Sequence, residues 1–193
     1  MTTETMETTA TAECRIYAAC LASYNNGILH GRWIDVDGKD AGELWDEVAA
    51  MLAASPIAGA EEWAIHDHEG FGRMIGESSS FEEVAIIAEA LTGGNALAFR
   101  WLVEDRGMAP AEAAERAGDV QIYWGDDMRD LAAGYAQELF EEMTAADERD
   151  RFNLWPFTCI DWEAAGRELV IGGDVDAADI AGERFLVTNA NEF

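Results

Sequence analysis

Two histidines, His66 and His68, flank Asp67 in the segment EEWAIHDH that runs from Glu61 to His68. In a strand, residues two apart share a face, so both imidazoles could ligate one metal ion. A third ligand would have to come from a distance, and His30 is the only other histidine. Without that ligand, the pair reads as two polar residues at a strand end. Asp35-Val36-Asp37-Gly38-Lys39-Asp40 offers the oxygen ligands of a calcium loop but not its frame. An EF-hand needs glycine at its sixth position and glutamate at its twelfth, where this chain has Asp40 and Asp46. Cys14, Cys20 and Cys159 are odd in number and lack metal or redox spacing, so they read as free thiols of a reducing cytosol. No GxSxG elbow is present, and neither Gly93-Gly94 nor Gly172-Gly173 lies in a phosphate-loop frame. Trp33, Trp63, Trp101 and Trp124 sit in apolar segments and read as core. The sequence therefore predicts no enzyme and no cofactor. A metal-assisted enzyme using His66 and His68 is the alternative.

The chemistry this chain has in quantity is the carboxylate. It carries 39 acidic against 12 basic residues in 193, a net charge of −27 with a pI near 4.1. Such a surface repels nucleic acid and anionic membrane, and it suits a cationic partner or a salty habitat. By the charge density of B-form DNA, 27 charges match about 46 Å of duplex. Lys39 is the single lysine against eleven arginines. That fits a halophile, whose acidity would serve solubility alone, as well as it fits a GC-rich genome. At 49% hydrophobic the chain can bury a core. Its first twelve residues have neither the basic start nor the apolar centre of a signal peptide and read as a disordered tail. No uncharged run is long enough to span a membrane, and the expected location is the cytoplasm.

The densest acids lie between Asp126 and Asp150, where nine carboxylates face two arginines. Met128, Leu131, Ala132, Tyr135, Leu139 and Met143 recur at helical spacing and form one stripe. Asp127, Asp130, Glu138 and Glu141 then fall on roughly the opposite face. A helix anchored on one side would display negative charge on the other. The plainer reading, a solvated helix face, is the competitor.

Around it the chain alternates short strands and helices without a βαβ period, which predicts an α+β fold. Arg15–Tyr24 reads as a strand, Asn25-Asn26-Gly27 as a hairpin turn and Gly31–Val36 as its return. Asp40 with Glu43 forms a capping box for a helix to about Ala54, and Ser80 with Glu83 forms another for a helix to Leu91. Asn95 opens a third helix, and Pro110 suits the first turn of a fourth. Val120–Trp124 reads as a strand before the acidic helix. Phe152–Ile160 reads as partly extended, Asp161 caps a helix through Val170, and Phe185–Asn189 is a last strand. The expected division is a tail over 1–12, an α+β domain over 13–60, a mostly helical one over 61–108, and a C-terminal α+β domain over 109–193.

Tyr24-Asn25-Asn26-Gly27, then Gly31, Trp33 and Asp35, give the chain a family likeness. Asp67-His68-Glu69-Gly70-Phe71, the run from Ala98-Phe99 to Val103-Glu104, and Tyr135 to Leu139 extend it. Ile160-Asp161-Trp162-Glu163, Arg167-Glu168-Leu169 and Phe185–Asn189 complete it. In order and spacing these motifs resemble the ArdA antirestriction proteins, DNA mimics carried by plasmids, conjugative transposons and phages. The chain departs from the family in its Thr-rich tail, in Gly166, and in His68, where an aromatic is usual. The resemblance implies an elongated dimer of three small domains per chain, with carboxylates placed like duplex phosphates. It implies occupation of the DNA groove of Type I restriction-modification enzymes, blocking restriction and often modification, without catalysis. The expected interface carboxylates are Asp126, Asp127, Asp130, Glu138, Glu141 and Glu142, with Glu104, Asp105, Glu112 and Glu115 beside them.

Overall fold

A computed structural model describes residues 13–125, 128–144 and 154–193, apart from the side chain of Arg129. The chain divides into two compact units, Met1–Ala117 and Gly118–Phe193. Among the described residues the fold is α+β: seven helices and two antiparallel sheets of three strands each.

In the first unit, β1 (Arg15–Cys20) is the central strand, between β2 (Gly31–Asp35) and β3 (Trp63–Glu69). Its alternation buries Ile16 and Ala18 and leaves Arg15 and Tyr17 half-exposed. Arg15 stands opposite Asp35 on one neighbour and Glu69 on the other. Its guanidinium donates to Glu69 at 2.7 Å and lies 4.8 Å from the centre of the Trp33 ring. Gly31 is required where β2 passes β1: a Cβ there would lie 2.6 Å from the carbonyl oxygen of Ala18.

The strand expected over Arg15–Tyr24 ends early. Leu21–Asn25 forms a single helical turn, α1, because Cys20 Sγ accepts from the Ser23 amide and the Ser23 and Ser55 hydroxyls bond at 2.9 Å. The Asn-Gly turn follows, with Gly27 at φ +74° and its amide donating to Tyr24. The capping box at Asp40 and Glu43 forms in both directions and opens α2 (Ala41–Ala53). Ser80 caps α3 (Phe81–Thr92) by accepting from the Glu83 amide. Asn95 precedes α4 (Ala96–Glu104) without a side-chain cap, and Pro110 opens α5 (Pro110–Arg116). Val48, Phe81, Ile87, Phe99 and Trp101 are among the fully buried side chains of this unit.

The second unit contains β4 (Ile122–Trp124), α6 (Met128–Met143), α7 (Trp162–Gly172), β5 (Asp176–Ile180) and β6 (Glu183–Val187), with β6 central in its sheet. Phe157–Cys159 forms a 3-10 turn within the segment expected to be partly extended. Residues 152–153 of that segment lie outside the described residues. Strand β5 has no counterpart in the sequence reading. Among the described residues no helix is long and apolar enough to cross a membrane.

Candidate functional site

The acidic helix α6 is held by one side. Leu131 is buried with Val175 and Leu186, and Tyr123, Met128, Ala132, Tyr135 and Leu169 pack around them. This confirms the first two turns of the expected stripe, from Met128 to Tyr135. It fails at the end, since Met143 is 79% exposed. Helix α7 approaches α6 very closely at Gly166, where a Cβ would lie 2.5 Å from the Ala132 carbonyl oxygen and 2.7 Å from the Ala133 nitrogen. Only a glycine fits there without a shift of backbone against backbone. The glycine that departs from the family pattern is therefore a packing residue.

Of the four acids, Asp130 and Glu141 lie opposite the anchored side, while Glu138, seven residues after Leu131, and Glu142, seven after Tyr135, continue the line of that side. Asp130, Glu138 and Glu142 are exposed, and Glu141 is half-buried, accepting from Gln137 at 3.0 Å. The Tyr123 hydroxyl donates to Glu138 at 2.7 Å, fixing that carboxylate to β4. Burial first, then the adjacent Glu138 carboxylate, pushes the Tyr123 phenol up to about 12. Its protonated form is thus favoured by the fold. The stabilisation is complete below the ordinary tyrosine pKa near 10 and is lost as pH rises from there through about 12. Ultraviolet titration of tyrosinate should find Tyr123 ionising near pH 12. Glu138→Gln should lower its pKa; an unmoved titration would refute the contact.

The remaining expected carboxylates differ in kind. Asp126 and Asp127 lie outside the described residues. Glu104 has a side chain only 13% exposed, bonded to Arg100 at 3.1 Å and reached by Arg73 at 3.8 Å. Arg100 also donates to the Gly70 carbonyl at 2.8 Å, so Glu104 belongs to a network that ties α4 to the loop after β3. Asp105 is exposed at the end of α4. Glu112 and Glu115 are exposed on α5, with Glu112 3.9 Å from Arg116. Glu104, Asp105, Glu112 and Glu115 thus sit in the first unit, and the α6 carboxylates in the second.

Glu89 is an exposed carboxylate that the sequence does not single out. It lines a shallow groove between α3 and α5 together with Glu115. The sequence signal was faint: Glu89 follows Ile86 by three residues, which places acid beside apolar surface on one helix face.

The histidine pair does not assemble a metal site. Strand β3 is bulged, with Tyr17 opposite Asp67 but Ala18 opposite Ile65, so the strict alternation is interrupted at His66. His66 packs edge-on against Tyr24 at 4.8 Å and His68 against Phe71 at 6.2 Å. His30 is engaged with the Met51 carbonyl at 2.8 Å. Among the described residues no three His, Cys, Asp or Glu side chains gather to hold a metal ion. Cys14 and Cys20 are buried free thiols. Desolvation, followed by the charge of Asp37, raises the Cys14 pKa to about 11, which makes it a poor nucleophile.

Fold and surface together define an acidic α+β protein whose helices are anchored on their apolar sides and present carboxylates outward. The chain belongs to the ArdA family of antirestriction proteins, whose family model matches residues 16–181. Among curated proteins none matches it closely enough to count as a relative.

Proposed function

We propose that this protein is a DNA mimic that occupies the DNA-binding groove of Type I restriction-modification enzymes and blocks restriction, and with it modification. It acts without catalysis, as a homodimer in the cytoplasm. The observation that carries the reading is the outward set of carboxylates on α6, in a member of an antirestriction family with a net charge of −27. A groove that binds DNA is lined with lysine and arginine, and DNA must shed condensed counterions to enter it. A rigid acidic surface meets the same cations without any base sequence. Carboxylates three or four residues apart on a helix lie about 5–6 Å apart at Cβ, close to the step between phosphates. A dimer would carry −54, matching about 92 Å of duplex.

The set of contributing groups is Asp130, Glu138, Glu141 and Glu142 with Asp126 and Asp127, joined by Asp105, Glu112 and Glu115. Glu104 contributes less, because two guanidinium groups already oppose it. The direct test is ATP-dependent cleavage of unmodified plasmid by a purified Type I restriction complex. The protein should inhibit cleavage at concentrations near that of the enzyme. Unimpeded cleavage by a panel of Type I enzymes in large inhibitor excess would refute the reading.

A further inference from the structure

The shallow groove between α3 and α5, about 440 Å³, is lined by Ile86, Ala90, Ala111 and Ala114, with Glu89 and Glu115 at its edges. Its floor is apolar and built of small side chains, while its two carboxylates come from different helices. No lysine or arginine lines it. A bare phosphate mimic needs no such floor, since a phosphate offers charge and hydrogen-bonding oxygens but no apolar surface. Arginine, by contrast, combines an apolar stem with a cationic fork and lays the stem along apolar surface while the head stays in polar surroundings. We infer that the α3–α5 groove is a docking site for arginine side chains on one face of a partner helix, stems on the alanine floor and guanidinium groups on Glu89 and Glu115. For the identity of its natural partner this inference rests on the DNA-mimic reading; for its chemistry it does not.

The cationic ligand is favoured over an apolar one by the paired carboxylates, which an apolar helix would desolvate without compensation. Arginine is favoured over lysine because its planar fork can bind carboxylate in two-point fashion and is the more weakly hydrated head. Ala111 and Ala114 are exposed, so larger residues there fill the groove without disturbing a core. That permits a steric test that leaves charge unchanged.

The probe is a capped helical peptide bearing two arginines four residues apart on an alanine face. It is titrated against the full-length protein while the methyl signals of Ile86, Ala90, Ala111 and Ala114 are followed by NMR. Those four signals should move together. Affinity should fall about tenfold in Ala114→Leu, in the double variant Glu89→Gln/Glu115→Gln, and with a lysine version of the peptide. The double variant Asp46→Asn/Glu62→Gln, equal in charge but at exposed positions that do not line the groove, should change it less than twofold. Shifts spread over all acidic faces, or equal losses from both charge pairs with none from Ala114→Leu, would overturn the groove and leave only distributed charge. Displacement of the peptide by a Type I methyltransferase core is the second arm. If the peptide binds as expected but the core neither binds nor displaces it, the groove stands and the DNA-mimic reading falls.

Discussion

Gly166→Ala should lower the stability of the second unit by about 2–3 kcal/mol, even though alanine is the better helix former by roughly 1 kcal/mol. The reason is where the added methyl goes. At Gly166 it would meet the backbone of Ala132 and Ala133, which no rotamer change can move aside. Helix α7 must back away from α6, and the packing around Leu131, Val175 and Leu186 loosens with it. For a unit of this size the fall corresponds to roughly 10–20 °C in melting temperature. Gly134→Ala on α6 is the matched control. A Cβ there meets only the Tyr123 hydroxyl, at 3.4 Å, so that variant should be neutral or slightly stabilised. Circular dichroism melts of the two variants decide the matter. If Gly166→Ala melts as late as Gly134→Ala, the close approach of α6 and α7 is wrong.

The second large effect separates binding from stability. Asp130→Asn with Glu138→Gln, Glu141→Gln and Glu142→Gln removes four charges from α6 while keeping side-chain size and hydrogen-bonding oxygens. Each exposed ion pair with a partner cation is worth about 0.2–1 kcal/mol, so the quadruple variant should lose about 1–4 kcal/mol of binding, roughly 5- to 800-fold in affinity. Its affinity should also depend less on salt. Its melting temperature should rise, because Glu138 repels Glu141 and Glu142 at helical spacing in the free protein. Lost affinity with gained stability is what a surface shaped for a cationic partner gives. A halophile's solubility charge would show the gain in stability without any partner to lose. An unchanged affinity would remove α6 from the interface.

Local signals in the sequence were the ones the structure reproduces. Capping at Asp40, Ser80 and Asp161 rests on side chains bonding to amides three residues away, so spacing suffices to find it. Helix α1 was hidden because one helical turn inside a strand–turn sequence depends on Ser55, far along the chain. Strand β5, Asp-Ala-Ala-Asp-Ile, lacks a β-forming composition until its last residue; it is a strand because β6 offers it an edge. The site divides in the same way. The apolar stripe of α6 placed Asp130 and Glu141 outward but not Glu138 and Glu142, which are exposed although they continue the line of Leu131 and Tyr135; the Arg100–Glu104 pair is visible in its four-residue spacing. Neither the burial of Glu104 nor the approach of Arg73 is local, so the spacing did not show that this carboxylate is already engaged within the fold. The bulge at His66 was equally invisible, and the shared face assumed for His66 and His68 depended on its absence.

The central claim is that charge on this protein takes the place of DNA. Titrating it against duplex DNA bound to a Type I methyltransferase core, at two salt concentrations, tests that most directly. The account predicts displacement at low salt that weakens as salt rises, with protein and DNA never bound to the core together. Folded protein that leaves the DNA in place at low salt, or that binds the core alongside it, would contradict the account.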